Sequence, residues 1–339
     1  MHDQAGLTRR GLVGAAAGAA AAATVGTSPA VASRRGKRDN RGHGGDRLVP
    51  RDQIGIQLFT VRNRVAAEGF EAVFARLSQI GYQEIEFAGY TAQGRRYTNR
   101  ELRTLLRRFG LSGIGSHVNY YSVDPAAYSF VTQLDQVVRD AQEIGLPYIG
   151  TASRPGQRYG ETVEGYKRAA EDFNRFGAAA RARGLRFYHH HHSEEFAVEN
   201  GARLYDVLLA YTDPKLVYFE FEIFWSHVGQ TRFPGFKPYT YPWSMPERFP
   251  LFHVKDGIDF SGTGAPPPLP GPSSFGWQMR DVGDGDIAFE PLFCGLDTDD
   301  HHYIIERDTA PDPVANPAGE YSTAQRSYAH LTGLRERRH

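Results

Sequence analysis

The chain has 339 residues, with 39 Lys and Arg against 39 Asp and Glu, 40% hydrophobic residues and one cysteine. A neutral charge balance argues against nucleic acid as a partner, and a lone thiol excludes an internal disulfide. With the N-terminal region set aside, roughly 290 residues remain, a length that a single α/β barrel domain fills.

At the N-terminus, Thr8-Arg9-Arg10-Gly11-Leu12-Val13 precedes an uncharged Ala/Gly run closed by Ala30-Val31-Ala32. Paired arginines before a mild apolar stretch are the twin-arginine export pattern, so residues 1–32 are predicted to be a cleaved signal peptide. The predicted location is secreted or cell-envelope, with the protein exported already folded. The apolar run is too short and too rich in Ala and Gly to hold the mature protein in a membrane. Residues 33–52 are rich in Arg, Gly and Asp without apolar periodicity and read as a solvated linker. The catalytic domain is expected over residues 53–336.

From Ile54 onward, short apolar runs alternate with helix-period runs, the pattern of βα units around a parallel sheet. Eight strands are predicted: Ile54–Phe59, Glu84–Phe87, Gly113–His117, Tyr148–Thr151, Arg186–His190, Val217–Glu222, Leu251–Val254 and Tyr303–Glu306. Helices are predicted over Phe70–Ile80, Asn99–Phe109, Phe130–Ile144, Val163–Arg183, Ala202–Ala210 and Ser322–Leu334. Gly81, Gly110 and Gly184 follow three of these helices where a left-handed cap is needed. Eight strands close a barrel, and no Gly-rich phosphate turn follows the first, as a doubly wound sheet would show. After the seventh strand, the Pro/Gly-rich stretch from Phe260 to Pro272 reads as a long loop bordering the substrate entrance. Cys294 follows Pro291-Leu292-Phe293 and is expected to be a buried small hydrophobe.

Four of the strands end in metal-ligand chemistry: His189-His190-His191-His192, Glu220-Phe221-Glu222, His253-Val254-Lys255-Asp256 and Glu306-Arg307-Asp308. In a barrel these ends meet at the catalytic face, and imidazole with carboxylate suits a divalent cation. Strand alternation sends His190 and His192 to one side and His189 and His191 to the other. Glu220 has the same facing as Glu222 and lies deeper; it either competes with Glu222 as a ligand or supports the site as a hydrogen-bonded partner. Gln57, Glu86 and His117 end earlier strands; Glu86 either contacts substrate or neutralises Arg62. Trp225, Phe224 and Tyr90 offer apolar faces for a sugar ring. His301 and His302 precede the last strand and fall at the opposite end.

Gly55-Ile56-Gln57-Leu58-Phe59-Thr60-Val61-Arg62, Gly81-Tyr82-Gln83-Glu84-Ile85-Glu86-Phe87-Ala88-Gly89-Tyr90, Ser116-His117-Val118, His253-Val254-Lys255-Asp256 and Val282-Gly283-Asp284-Gly285-Asp286-Ile287 together resemble the sugar phosphate isomerase/epimerase family of xylose isomerase-like TIM barrels. The resemblance implies a (β/α)8 fold and one divalent cation, commonly manganese, with magnesium, cobalt or zinc as alternatives. Carried onto this chain, the metal ligands it implies are His190, Glu222, His253 and Glu306. Two departures stand out. Glu222 replaces the usual aspartate, and His190 stands where many relatives carry glutamate, which makes the site less anionic.

A metal flanked by acid and base groups, with no nucleophile motif, suits proton abstraction next to a carbonyl. The expected function is a sugar isomerase or epimerase acting on an unphosphorylated carbohydrate or polyol. Glu222 or Glu306 is expected to act as base, with His117, His192 and Glu86 as further catalytic candidates. A keto-glycoside lyase is the alternative, because the same enolate expels a leaving group beta to the carbonyl. A non-catalytic sugar-binding protein is the third reading, and four convergent ligands argue against it.

Overall fold

The computed structural model describes residues 47–296 and 300–335. The twin-arginine segment lies outside the described residues.

Eight parallel strands form one sheet: β1 (Ile54–Gln57), β2 (Glu84–Phe87), β3 (Ser112–Ser116), β4 (Tyr148–Thr151), β5 (Arg186–His190), β6 (Val217–Glu222), β7 (Leu251–Val254) and β8 (His302–Ile305). Their spatial order follows the chain, with β1 pairing both β2 and β8. The remaining seam, between β3 and β4, is joined by a parallel bridge from His117 to Gly150. The result is the expected βα barrel. Each strand is followed by a helix: α1 (Arg62–Ile80), α2 (Asn99–Arg108), α3 (Phe130–Ile144), α4 (Val163–Ala182), α5 (Leu204–Tyr211), α6 (Ile223–Arg232), α7 (Phe289–Cys294) and α8 (Glu320–Gly333). Among the described residues, none of the helices is long and apolar enough to cross a membrane.

The strands read as nearly continuous apolar runs because both faces are covered. Outward residues such as Phe187, Phe219, Phe221 and Phe252 pack under the helices. Inward residues fill the barrel in layers. Ile114, Tyr148, Tyr188, Leu251 and Ile304 make an apolar plug, and the acids and imidazoles stand above it. Tyr188 fits because Gly150 lies opposite: a Cβ there would come within 2.6 Å of the tyrosine ring. At the other end of the barrel His302 pairs with Glu84 at 2.8 Å, well away from the catalytic face, as expected.

Several local expectations need correction. β1 stops at Gln57, whose side chain accepts from Phe59 N and turns Leu58–Val61 into a 3-10 helix. Helix α1 begins at Arg62, ahead of the predicted Phe70, because Gly69 at φ 84° kinks it and hides its first turns from a periodicity reading. Gly81 caps α1 in the left-handed region at φ 119°, as predicted. The stretch read as linker is already packed at its end, where Val49 is buried and Leu48 N donates to Leu334 O. The Pro/Gly loop is the tip of an antiparallel pair, Asp256–Asp259 with Trp277–Arg280, which the sequence reading missed. Cys294 is exposed rather than buried, since α7 turns it outward beside the buried Leu292 and Phe293.

Candidate active site

The strand register explains how the polar groups meet. Glu220 lies across from His190, and Glu222 across from His253. His190 Nδ1 is 3.0 Å from Glu220 Oε2, and the same oxygen is 3.1 Å from His253 Nε2 and 2.9 Å from His117 Nε2. His253 Nε2 is also 2.7 Å from Glu86 Oε2, while its Nδ1 is 2.9 Å from Glu306 Oε2. Glu86 is fully buried, accepting from Gln57 Nε2 at 2.7 Å and from the Tyr188 hydroxyl. It does not pair with Arg62, which donates to the carbonyls of Phe59 and Asp308.

Above this layer, the Lys255 ammonium lies 2.8 Å from Glu222 Oε2, 2.6 Å from Glu306 Oε2 and 2.9 Å from Asp308 Oδ1. Lys255 and Asp256 diverge. Lys255 enters the barrel, whereas Asp256 accepts backbone N–H bonds from Gly257, Gly283, Gly285 and Ile287 and ties the antiparallel pair to the following turn.

Burial sets the electrostatics. It pushes the Glu222 carboxyl up to about 7 although Lys255 pulls the other way. Burial, reinforced by His253, drives His190 well below the usual imidazole range, leaving it neutral and able to bind a cation. For His253 burial also acts downward, but Glu220, Glu86 and Glu306 outweigh it and raise the imidazole. In Glu306 the upward effect of burial is overcome by Lys255 and His253, so the carboxylate stays ionised.

The expected metal quartet is divided between two overlapping groups. Ligand atoms of His190, Glu222 and Glu306 lie within 4.8 Å of one another, and so do those of His117, His190, Glu220 and His253. Glu220, read from the sequence as either a competing ligand or a supporting acid, falls in the deeper ligand group. Its Oε1 is buried without a hydrogen-bond partner, a costly state that a bound cation would relieve. The donor set fits a divalent cation: Glu86, Glu220, Glu222 and Glu306 are buried together, and the one Lys or Arg that bonds any of them is Lys255 among the described residues.

The histidine run divides as alternation requires. His190 and His192 face the barrel mouth, with ring centroids 4.9 Å apart. His191 packs on Phe196 and Tyr205 and accepts from Glu222 N through Nε2, while His189 packs on Phe173. His117 bonds Glu220 and is partly exposed. Of the aromatic candidates, Phe224 and Tyr90 are buried in the wall and offer no face to a ligand; Trp225 stays half-exposed beside His192.

The profile described as a xylose isomerase-like TIM barrel matches residues 74–329. An inosose dehydratase of Clostridium perfringens is 29% identical over 179 residues, which make up 50% of this chain and 56% of that protein. The chain thus spans about half the length of the curated relatives it matches. Among solved structures, a sugar phosphate isomerase/epimerase from Parabacteroides distasonis shares the fold at TM-score 0.64 and 21% identity, covering 86% of this chain and 99% of that one. The IOLI protein, solved with a bound zinc atom, superposes at TM-score 0.61 with 11% identity over 83% of this chain and 98% of its own.

Proposed function

The chain belongs to the xylose isomerase-like TIM-barrel family, and on that premise we propose that it is a divalent-metal-dependent enzyme acting on an unphosphorylated sugar or cyclic polyol, removing a proton next to a carbonyl. The observation that carries this reading is the convergence of His190, Glu222 and Glu306 at the barrel mouth, where Lys255 bridges the two carboxylates. His190, Glu222 and Glu306 would hold the cation, with His253 fixed beside them through Glu306. When bound, it supplies Lewis acidity that polarises the substrate carbonyl and stabilises an enolate.

The chain's own groups handle the protons. Glu222, a buried carboxylate at the end of β6 across from His253, is placed to take a proton and return it. Glu306 stays ionised and orients Lys255 and His253. His253 is held from below by Glu86 and Glu220, which fixes its ring. A neutral substrate fits because cations on the strand-end loops are already engaged: Lys255 by three carboxylates, Arg62 by two carbonyls and Arg158 by Asp172.

Return of the proton gives epimerisation or isomerisation. The likeness to inosose dehydratase favours a second outcome, elimination, in which the α-proton goes to Glu222 and a β-hydroxyl leaves as water with a proton from Lys255. The test is incubation of the manganese-loaded protein with inosose in deuterium oxide. Deuterium gain with an intact skeleton supports epimerisation, and loss of one water supports elimination. Either must stop with chelator; full exchange in chelator refutes the metal reading, and no exchange on a panel of ketoses and inososes refutes the reaction class.

A further inference from the structure

A row of rings leads outward from the buried cluster. His253 and His190 have centroids 4.5 Å apart, His190 and His192 4.9 Å, and His192 and Trp225 6.0 Å. At its outer end two polar atoms are shut off from solvent without a hydrogen-bond partner: His192 Nδ1 and Trp225 Nε1. Buried donors and acceptors are almost always satisfied, and each exception asks for a missing partner.

The fold anchors the backbone that carries both rings. His192 is the second residue past the end of β5, and its backbone N–H donates to the buried Glu195 at 3.0 Å. Trp225 lies in the first turn of α6, where Glu222 caps the helix by accepting from Phe224 N at 3.0 Å. The indole packs edge-on against the buried Phe224, with centroids 5.1 Å apart. An indole N–H donates only, whereas an imidazole Nδ1 donates or accepts according to tautomer.

We propose that His192 Nδ1 and Trp225 Nε1 form a hydroxyl-recognition subsite that binds two hydroxyls of a polyhydroxylated ring whose carbonyl faces Glu222. This rests on the reaction proposed above but concerns a different part of the substrate. The subsite explains why a neutral polyol fits: the indole face takes the apolar C–H side of the ring, and the two nitrogens take hydroxyls at its edge.

The test uses the full-length manganese-loaded protein with inositols and their monodeoxy analogues as non-reacting probes, read by calorimetry, and inosose for turnover. Trp225→Phe keeps the ring and removes the N–H, so it should weaken binding of the fully hydroxylated probe by about 3- to 10-fold. KM should rise in step while kcat changes little. One deoxy analogue should bind wild type and Trp225→Phe equally, and His192→Phe should do the same for a second analogue. A melting curve for each variant separates misfolding from lost recognition. If wild type binds and turns over while Trp225→Phe binds every probe as wild type does, the subsite is wrong and the reaction stands. Trp225-dependent binding without metal-dependent exchange keeps the subsite and overturns the reaction. No binding of any probe by wild type overturns the subsite, and no turnover of inosose beside it overturns the reaction as well.

Discussion

The Lys255 ammonium lies 2.6 Å from Glu306 Oε2, and at 2% exposure it is shielded from water. It bridges Glu306 to Glu222 on one side and to Asp308 on the other. A buried cation with this many acidic neighbours is held well above the ordinary lysine range; burial opposes the shift, and Asp308, Glu222 and Glu306 overcome it. Replacing Lys255 by methionine leaves like charges facing one another. Removal of one partner from a buried ion pair costs about 3–5 kcal/mol. Lys255→Met should therefore lower the urea midpoint of chelator-treated protein by an amount of that order, and an unchanged midpoint would show that the ammonium is not what neutralises the acids.

The two overlapping ligand groups predict different responses to mutation. If the cation rests on His190, Glu222 and Glu306, then Glu306→Ala removes a direct ligand and should weaken manganese binding by more than about 100-fold, whereas Glu220→Gln disturbs only a supporting group and should cost about 10- to 100-fold. Competition with a chelating dye measures both. A reversed order would place the cation on His117, His190, Glu220 and His253.

How much of this was legible in the sequence follows from the two periods involved. Strand ends showed clearly, because a doubly buried strand is an apolar run that stops where its polar group begins; Glu222 and His253 stand at such stops. The facing of His190 and His192 followed from alternation alone. What stayed hidden depends on distance across the barrel. Glu220 reads as one more acid within β6 until the register sets it against His190, with His117 and His253 closing around it. Lys255 and Asp256 read together as a cation and an acceptor at one strand end, yet only Lys255 joins the site acids, and Asp256 turns to the backbone of the following turn. The antiparallel pair around the Pro/Gly loop was missed because its turn signals are spread over many residues.

Acid stability should depend on a carboxylate outside the metal cluster. Glu195 is fully buried, with Oε2 accepting from His192 N at 3.0 Å and Oε1 3.6 Å from His189 Nε2. Burial pushes the carboxyl up, but His189 and then His192 outweigh it and hold it near 2, against an ordinary value of 4.5. Because the folded form binds its proton less readily than the unfolded form, the stabilisation is complete above the ordinary value and is lost as pH falls towards 2. The contact to His189 is longer than a hydrogen bond, so the contribution is on the order of 2 kcal/mol. Glu195→Gln should be less stable than wild type near pH 7, and in urea unfolding the gap should begin to shrink below the ordinary value of 4.5 and close only as pH falls past about 2. Parallel acid profiles for the two proteins would rule out Glu195 as the titrating group.

The Pro/Gly loop is anchored by one side chain. Gln278, 1% exposed, donates through Nε2 to Leu269 O at 2.5 Å and accepts through Oε1 from Leu269 N at 3.3 Å and from Arg280 Nη2 at 2.6 Å. A proline-rich segment has few backbone donors of its own, so these bonds replace the ladder it lacks. Gln278→Ala would leave the buried Arg280 Nη2 without its acceptor, at about 1–3 kcal/mol, and would release Leu269 at the exposed tip of the loop. The loop tip should then open locally before the barrel does. Limited proteolysis reads this directly: cleavage between Phe260 and Pro272 should accelerate by about 10-fold or more in Gln278→Ala, while the barrel fragments stay resistant. Equal cleavage rates in the two proteins would mean that packing against Ala315, which sits 2.7 Å from where a Gly271 Cβ would stand, holds the loop without Gln278.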